Sequence, residues 1–453
     1  MDRPNLLFVF ADQMRGQDMG CAGNPDVRTP HMDRLAREGM MFEEAVANVP
    51  VCTPCRGTML TGLYPLSHRA VANDLPLSTD APGLGTLTRA AGYRTGYVGK
   101  WHLDGVPRLR FTPPGPRRHG FDFWAVCNCS HRYFQAQYFR DTPEPVRIEG
   151  YEPVAQTDLA IAFLEQEDPR PFCLTLSWGP PHNPYRQAPD EYLALYDPAA
   201  VTLRPNVPPD CDSDRAAGEL AGYYAHITAL DAQLGRLLDV LDRTGQAANT
   251  IVVFTSDHGD MLWSHGRTRK QQPFEESVRV PFLIRRPGCI VEGVRSHALL
   301  SAVDFAPTLL SLMGIGTDSG MEGDDLSAVV RGEAQSGPDA VLLMDLVTVD
   351  EGRRSGLREW RGLRTATHTY ARFADGEPWV LFDNVADPLQ RHNLVDDPAS
   401  RALRADLEAE LGRRLHRLTD RCLPWDALIR EMDLVAEWNA RERELHADQG
   451  RFL

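Results

Sequence analysis

Short unbroken apolar runs punctuate this chain. Between them lie longer stretches with an apolar residue at every third or fourth position. The runs are residues 5–11 (NLLFVFA), 93–99 (YRTGYVG), 172–178 (FCLTLSW), 250–256 (TIVVFTS) and 280–286 (VPFLIRR). They are too short for ordinary helices and do not alternate with polar residues, which predicts strands covered on both faces. The periodic stretches predict helices over 31–38, 84–91, 157–165, 217–243 and 305–313. Thr29 as a cap and Pro30 in the first turn mark the start of the first helix. Strands alternating with helices predict an α/β fold on a large, mostly parallel central sheet.

The pattern changes near residue 335. Residues 358–384 read as short alternating strands separated by turns such as Asp375-Gly376, which predicts a smaller antiparallel sheet. From Ser400 the chain turns helical and charge-rich to its end. Two units are expected: an α/β domain over 1–335, and a C-terminal subdomain over 336–453 with a small sheet and a helical tail. Residues 105–118, rich in proline and arginine, read as a loop.

Charge narrows the partners. The net charge of −15 repels phosphate backbones, so nucleic acid is an unsuitable ligand. An anionic substrate would need a locally basic pocket. No stretch has the length of a membrane helix, so no membrane partner is expected. The first apolar run ends in Asp12 rather than at a small-residue cleavage site, so a cytoplasmic location is expected. The nine cysteines are odd in number and scattered, unlike a secreted disulfide framework.

Ligands of open α/β sheets bind beyond the carboxyl ends of the strands. Four runs end in chemistry there: Asp12-Gln13, Lys100-Trp101-His102, the segment from Gly179 to His182-Asn183, and Asp257-His258-Gly259-Asp260. Singly, each reads as turn chemistry or a surface histidine. Their coincidence on one sheet edge points to a site.

Cys52 and Cys55 form a C-x-x-C in VCTPCRG. As a redox pair it lacks the strand that should lead directly into it. As half a zinc site it needs two more ligands, and Cys127-x-Cys129 is the candidate. A third reading comes from residues 52–62, C-T-P-C-R-G-T-M-L-T-G, which resemble the signature of the type I sulfatases of the alkaline phosphatase superfamily. PNLLFVFADQ, TPHMDRLAREG, GYVGKWH, PPHNPY, the stretch from TSDHGDML to EESVRVPFLIRRPG, and VDFAPTLLSLMG resemble blocks of that family in the same order. The resemblance covers most of the chain. It implies an alkaline-phosphatase-like sandwich with a smaller C-terminal antiparallel sheet.

It also implies that Cys52 is oxidised to formylglycine by a formylglycine-generating enzyme, and that its hydrate attacks a sulfate ester. Cys55, where the family usually has Ser, reads as a packing residue. By the same resemblance Asp12, Gln13, Asp257 and His258, with residue 52 itself, hold a divalent metal. Oxygen ligands favour Ca2+ or Mg2+, and the imidazole of His258 widens the choice to Mn2+ or Zn2+; Ca2+ is taken first. Arg56 is expected to orient the hydrated residue 52. Lys100 holds it and the sulfate, His102 takes its second proton, and His182 with Lys270 serves the leaving oxygen. Trp263, His265 and Arg267 are expected along a sugar pocket, with His131 as an anion contact. The function implied is a sulfuric ester hydrolase acting on sulfated small molecules or oligosaccharides. The rival is a phosphonate monoester or phosphodiester hydrolase of the same superfamily. A third alternative is an unconverted, inactive binding protein. The acidic tail over 400–453 is expected either to cover the site or to join copies into a homo-oligomer.

Overall fold

Each apolar run becomes a strand of one eight-stranded sheet. A computed structural model describes residues 3–316, 320–447 and 451–453. The strands are β1 (Asn5–Asp12), β2 (Met40–Phe42), β3 (Arg94–Lys100), β4 (Phe123–Cys127), β5 (Phe172–Pro181), β6 (Thr250–Ser256), β7 (Phe282–Arg285) and β8 (Val294–Ser296). Their order is β8-β2-β7-β6-β1-β5-β3-β4. β7 pairs antiparallel with both neighbours, and the other pairings in the sheet are parallel. β1 therefore sits centrally, with Leu6 opposite Cys173 of β5 and Ile251 of β6.

Six helices cover the sheet: α1 (Pro30–Arg37), α2 (Cys52–Thr61), α3 (Leu84–Ala90), α4 (Glu152–Leu164), α5 (Ser213–Arg243) and α6 (Ala302–Leu312). Successive residues of β1 point to opposite faces, and both faces are covered. Leu6, Phe8 and Phe10 share a core with Met59 of α2, Leu84 of α3 and Phe305 and Leu309 of α6. Leu7, Val9 and Ala11 share another with Leu35 of α1, Phe163 of α4 and Leu230 and Leu234 of α5. Cover on both sides is why these strands read as continuous apolar runs.

The start of α1 differs from the sequence reading in one respect. Pro30 does open the helix, but the Thr29 hydroxyl makes no cap bond. It donates to the Asp33 carboxylate (3.1 Å) and accepts from the Gly20 N–H (2.8 Å). The first free N–H groups, of His31 and Met32, go instead to the Asp231 carboxylate of α5 at 3.0 and 2.7 Å. A tertiary contact has replaced the local cap.

Beyond residue 335, β9 (Ala340–Asp345), β10 (Trp360–Thr365), β11 (His368–Phe373) and β12 (Pro378–Asp383) form a separate antiparallel sheet in that order. The helices α7 (Arg401–Arg417), α8 (Trp425–Glu431) and α9 (Val435–Leu445) follow. Leu342, Met344, Leu411 and Trp438 share a core with Val49 and Val51, just before α2. The C-terminal segment is thus packed directly beside Cys52. No described helix is long and apolar enough to cross a membrane.

Candidate active site

The motif around Cys52 is the first part of α2, a helix whose ten residues are all buried. Cys52 and Pro54 lie in its first turn, where a missing proline N–H costs nothing. Val51 offers no side-chain cap, so the Thr53 N–H donates to the Asn73 side chain (2.9 Å). Gly57 is required by a close approach: a Cβ there would lie 2.7 Å from the ring of His68. Gly62 closes the helix in the left-handed region (φ 66°), its N–H bonded to Thr58 O at 2.9 Å. Cys55 is fully buried in the core, as a packing residue would be.

α2 aims Cys52 at the strand ends. Asp12 ends β1, Lys100 ends β3, His182 follows β5, and Asp257 and His258 follow β6. The four groups Asp12, Cys52, Asp257 and His258 offer ligand atoms all within 4.8 Å of one another. His258 Nε2 is 3.2 Å from Cys52 Sγ, 3.8 Å from Asp12 Oδ1 and 3.6 Å from Asp257 Oδ1. Its Nδ1–H donates to Gly259 O (2.9 Å), which leaves the Nε2 lone pair facing the cluster. Cys127 and Cys129 do not join this group, so the zinc pairing with Cys52 has no counterpart in the fold.

Arg56 holds the two carboxylates from behind. Its Nε donates to Asp257 Oδ2 (2.9 Å), its Nη2 to Asp12 Oδ2 (3.0 Å), and its Nη1 to Lys100 O (3.0 Å) and Ser177 Oγ (2.7 Å). With those bonds made, the guanidinium acts on residue 52 through the carboxylates rather than by touching it. Lys100 Nζ pairs with the same Oδ2 of Asp12. Both Oδ1 atoms are left facing Cys52 and His258.

Burial opposes the charge on Asp12, but Lys100, His182, Arg56 and Lys270 outweigh it and hold its pKa well below the usual range. At Asp257 burial and the neighbouring Asp12 charge prevail, and the pKa is pushed up. Burial and Asp12 raise the Cys52 thiol, yet Lys100, Lys270 and His258 carry it well below its ordinary value. Negative charge is therefore stabilised at this side chain.

Gln13 follows Asp12 directly at the same strand end. Its backbone has φ 69°, its Nε2 donates to Asp260 (2.6 Å), and its Oε1 accepts from Lys270 Nζ (2.7 Å). Lys270 Nζ also reaches Cys52 Sγ at 3.2 Å. Gln13 thus positions the lysine beside residue 52.

Cys52, His102, His131, His182 and Lys270 line one cavity of about 220 Å³. His102 Nε2 is 2.9 Å from Asp74, whose carboxylate also takes two bonds from Arg108 (2.8 and 2.7 Å). The His102 Nδ1 is buried without a partner. Burial lowers the His102 pKa, but Cys129 and Asp74 reverse this and push it up to about 10. His182 stacks on His131, ring centroids 3.9 Å apart and planes at 6°. Its Nδ1 bonds Asn183 O (2.8 Å), and burial, His131 and Lys270 hold its pKa well below 6.5. Asp74, Asn73 and Arg108 have no motif around them, and no sequence signal marked them.

Trp263, His265 and Arg267 are not among the residues lining this cavity. Trp263 Nε1 donates to Glu219 (2.8 Å), and His265 stacks on Phe274 at 4.3 Å. Arg267 lies beside them, half-buried. The aromatic pattern after Asp257 is spent on packing between α5 and the loop.

The family model for sulfatases matches residues 4–315. A second model, the C-terminal region of N-sulphoglucosamine sulphohydrolase, matches residues 264–417. The chain is 40% identical to the ulvan-active sulfatase of Formosa agariphila, over 96% of this chain and 85% of that one. It belongs to the sulfatase family. Among solved structures, the putative sulfatase yidJ from Bacteroides fragilis superposes with TM-score 0.86 at 30% identity, covering 93% and 97% of the two chains. A structure in complex with its substrate D-glucosamine-2-N,6-O-disulfate superposes with TM-score 0.83 at 25% identity, covering 92% and 99%.

This sulfatase is a sulfuric ester hydrolase, and its donor set suits the metal the family uses. Two carboxylates this close repel one another when both are ionised, and a cation between them relieves that repulsion. The two Oδ1 atoms and the Nε2 lone pair surround one point with spacings that a divalent cation fits.

Proposed function

We propose that this sulfatase hydrolyses sulfate esters of carbohydrates, with residue 52 acting as formylglycine. The substrate class is supported by the saccharide disulfate named for one structural neighbour. The observation that carries the mechanism is the convergence of Lys270, His258 and two carboxylates on the Cys52 side chain at the floor of a cavity.

Asp12, Asp257 and His258 would hold the divalent cation, and their two hard oxygens favour Ca2+. When bound, it supplies positive charge beside the nucleophile and the ester oxygens. Formylglycine supplies, as its hydrate, a nucleophilic oxygen and a second ionisable hydroxyl on the same carbon. The remaining work falls to side chains already in place. The Asp74 carboxylate keeps a proton on His102 Nε2 and leaves Nδ1, buried without a hydrogen-bond partner, as the nitrogen that can exchange one. In its neutral form His102 takes a proton from residue 52, and Asp74 stabilises the imidazolium that results. Lys270 carries a proton at 3.2 Å from the residue 52 side chain, where a leaving oxygen can receive it. His182 lines the same cavity. Lys100, charged through its pairing with Asp12, offsets negative charge on the transferred group.

The test is mass spectrometry of the Cys52 peptide from cells with formylglycine-generating activity, with rates on an aryl sulfate and an aryl phosphonate monoester. An aldehyde at 52 with preference for the sulfate supports the proposal. An unmodified thiol points to the inactive binding protein, and preference for the phosphonate to the rival hydrolase.

A further inference from the structure

The floor of the catalytic cavity is assigned above, but its mouth is not. The mouth is built largely from the C-terminal segment: Asp350, Arg354, Leu445 and His446, facing Arg108 and Asn183 of the α/β part. Most charges there are already matched. Two donors of Arg108 are spent on Asp74. Asp350 receives Arg441 at 3.0 and 2.9 Å and His446 at 2.7 Å. Arg354 differs: its recorded bond is a long one, 3.4 Å, from Nε to Asp350 O, and it pairs with no described carboxylate. It is exposed, yet its short helix (Asp350–Arg354) is pinned at Asp350 by Arg441, which also donates to Asn73 O (2.8 Å) beside the start of α2. Two further lining atoms, Asn183 Oδ1 and His131 Nδ1, are buried without partners. Unmatched polar atoms around one small cavity mark the places where substituents of a ligand make the missing bonds.

We propose that Arg354 binds a second negative charge on the saccharide, a carboxylate or another sulfate, beyond the ester that is cleaved. The inference rests on the carbohydrate reading above and deepens it. A chain of net charge −15 repels a polyanionic saccharide, and a guanidinium carried at the entrance on a pinned helix offsets that repulsion. Arginine suits both groups because its planar fork matches two oxygens at once.

The test is calorimetric binding to the chain produced without formylglycine-generating activity, which binds substrate without turning it over. Three probes are used: a sulfated disaccharide with a uronate carboxylate, the same molecule with that carboxyl reduced to an alcohol, and the reduced molecule with a second sulfate. The parent is expected to bind at least one doubly charged probe about tenfold more tightly than the singly charged one, the size of one charge-assisted contact. Arg354→Gln should erase that preference, and Arg354→Lys should keep part of it. Which probe loses its advantage tells carboxylate from sulfate. Three outcomes overturn the proposal: no preference in the parent, no change in Arg354→Gln, or equal weakening of all three probes. Thermal unfolding checks that each variant is folded. Turnover by the converted parent tests the hydrolase reading separately, so either can fail without the other.

Discussion

Asp74 touches no reacting atom in this structure, yet its bond to Nε2 fixes where the His102 ring keeps its proton. It does so from a buried position, anchored by both bonds from Arg108. Asp74→Asn should therefore fold but present the wrong tautomer for part of the time. A drop in kcat of ~10²–10⁴ is expected, with KM little changed. Removing the carboxylate also lowers the His102 pKa from about 10, so the acid limb of the kcat profile should move to lower pH. A full loss without that displacement points to damaged packing instead. Arg56 illustrates the same economy: a lysine in its place keeps the charge but cannot bridge Asp12 and Asp257 in one plane.

Among the elements, α1 depends on a distant partner. Burial pushes the Asp231 carboxyl up to about 7, against the bonds it accepts from Met32 and His31. Its folded pKa lies above its unfolded one, so the folded state binds the proton more tightly between about pH 4 and 7. Stability from this group is fully present below the unfolded pKa and is lost as pH rises through that window. Asp231→Asn carries no such proton. Denaturant melts of parent and variant from pH 4 to 7 should show the variant gaining on the parent by a few kcal/mol, in order of magnitude. A flat difference removes Asp231 as the cause.

The elements also explain what could be read in advance. Strands buried on both faces leave continuous apolar runs, and residues at their carboxyl ends cluster whatever the loops do; hence Asp12, Lys100, His182 and Asp257 were legible. α2 was not marked as a helix, although its motif was recognised. Buried all round and written CTPCRGTMLT, it has no apolar stripe, and Cys, Thr, Pro and Gly, all weak helix formers, fill most of its positions. Trp263 and His265 carried a real pattern, aromatic residues beside a site, but their rings are used between elements.

At the scale of the whole molecule, the mouth of the site comes from residues about three to four hundred positions after Cys52, through a shared core that no local pattern reveals. The sequence left the tail two roles, cover or contact between copies; the structure brings its last helix to the cavity. The same enclosure sets a schedule. Every residue of α2 is buried, and Cys52 itself is only 2% exposed. No second enzyme can grasp that backbone once the chain has closed, so the oxidation proposed for this thiol would have to come before folding. A linear peptide spanning residues 46–64 should be converted by formylglycine-generating enzyme, while the purified native chain should resist it until unfolded; rapid conversion of the native chain shows that α2 opens on its own. Under that proposal the yield of working enzyme would be a race between the modifier and the chain's own collapse, and slower folding would produce more of it.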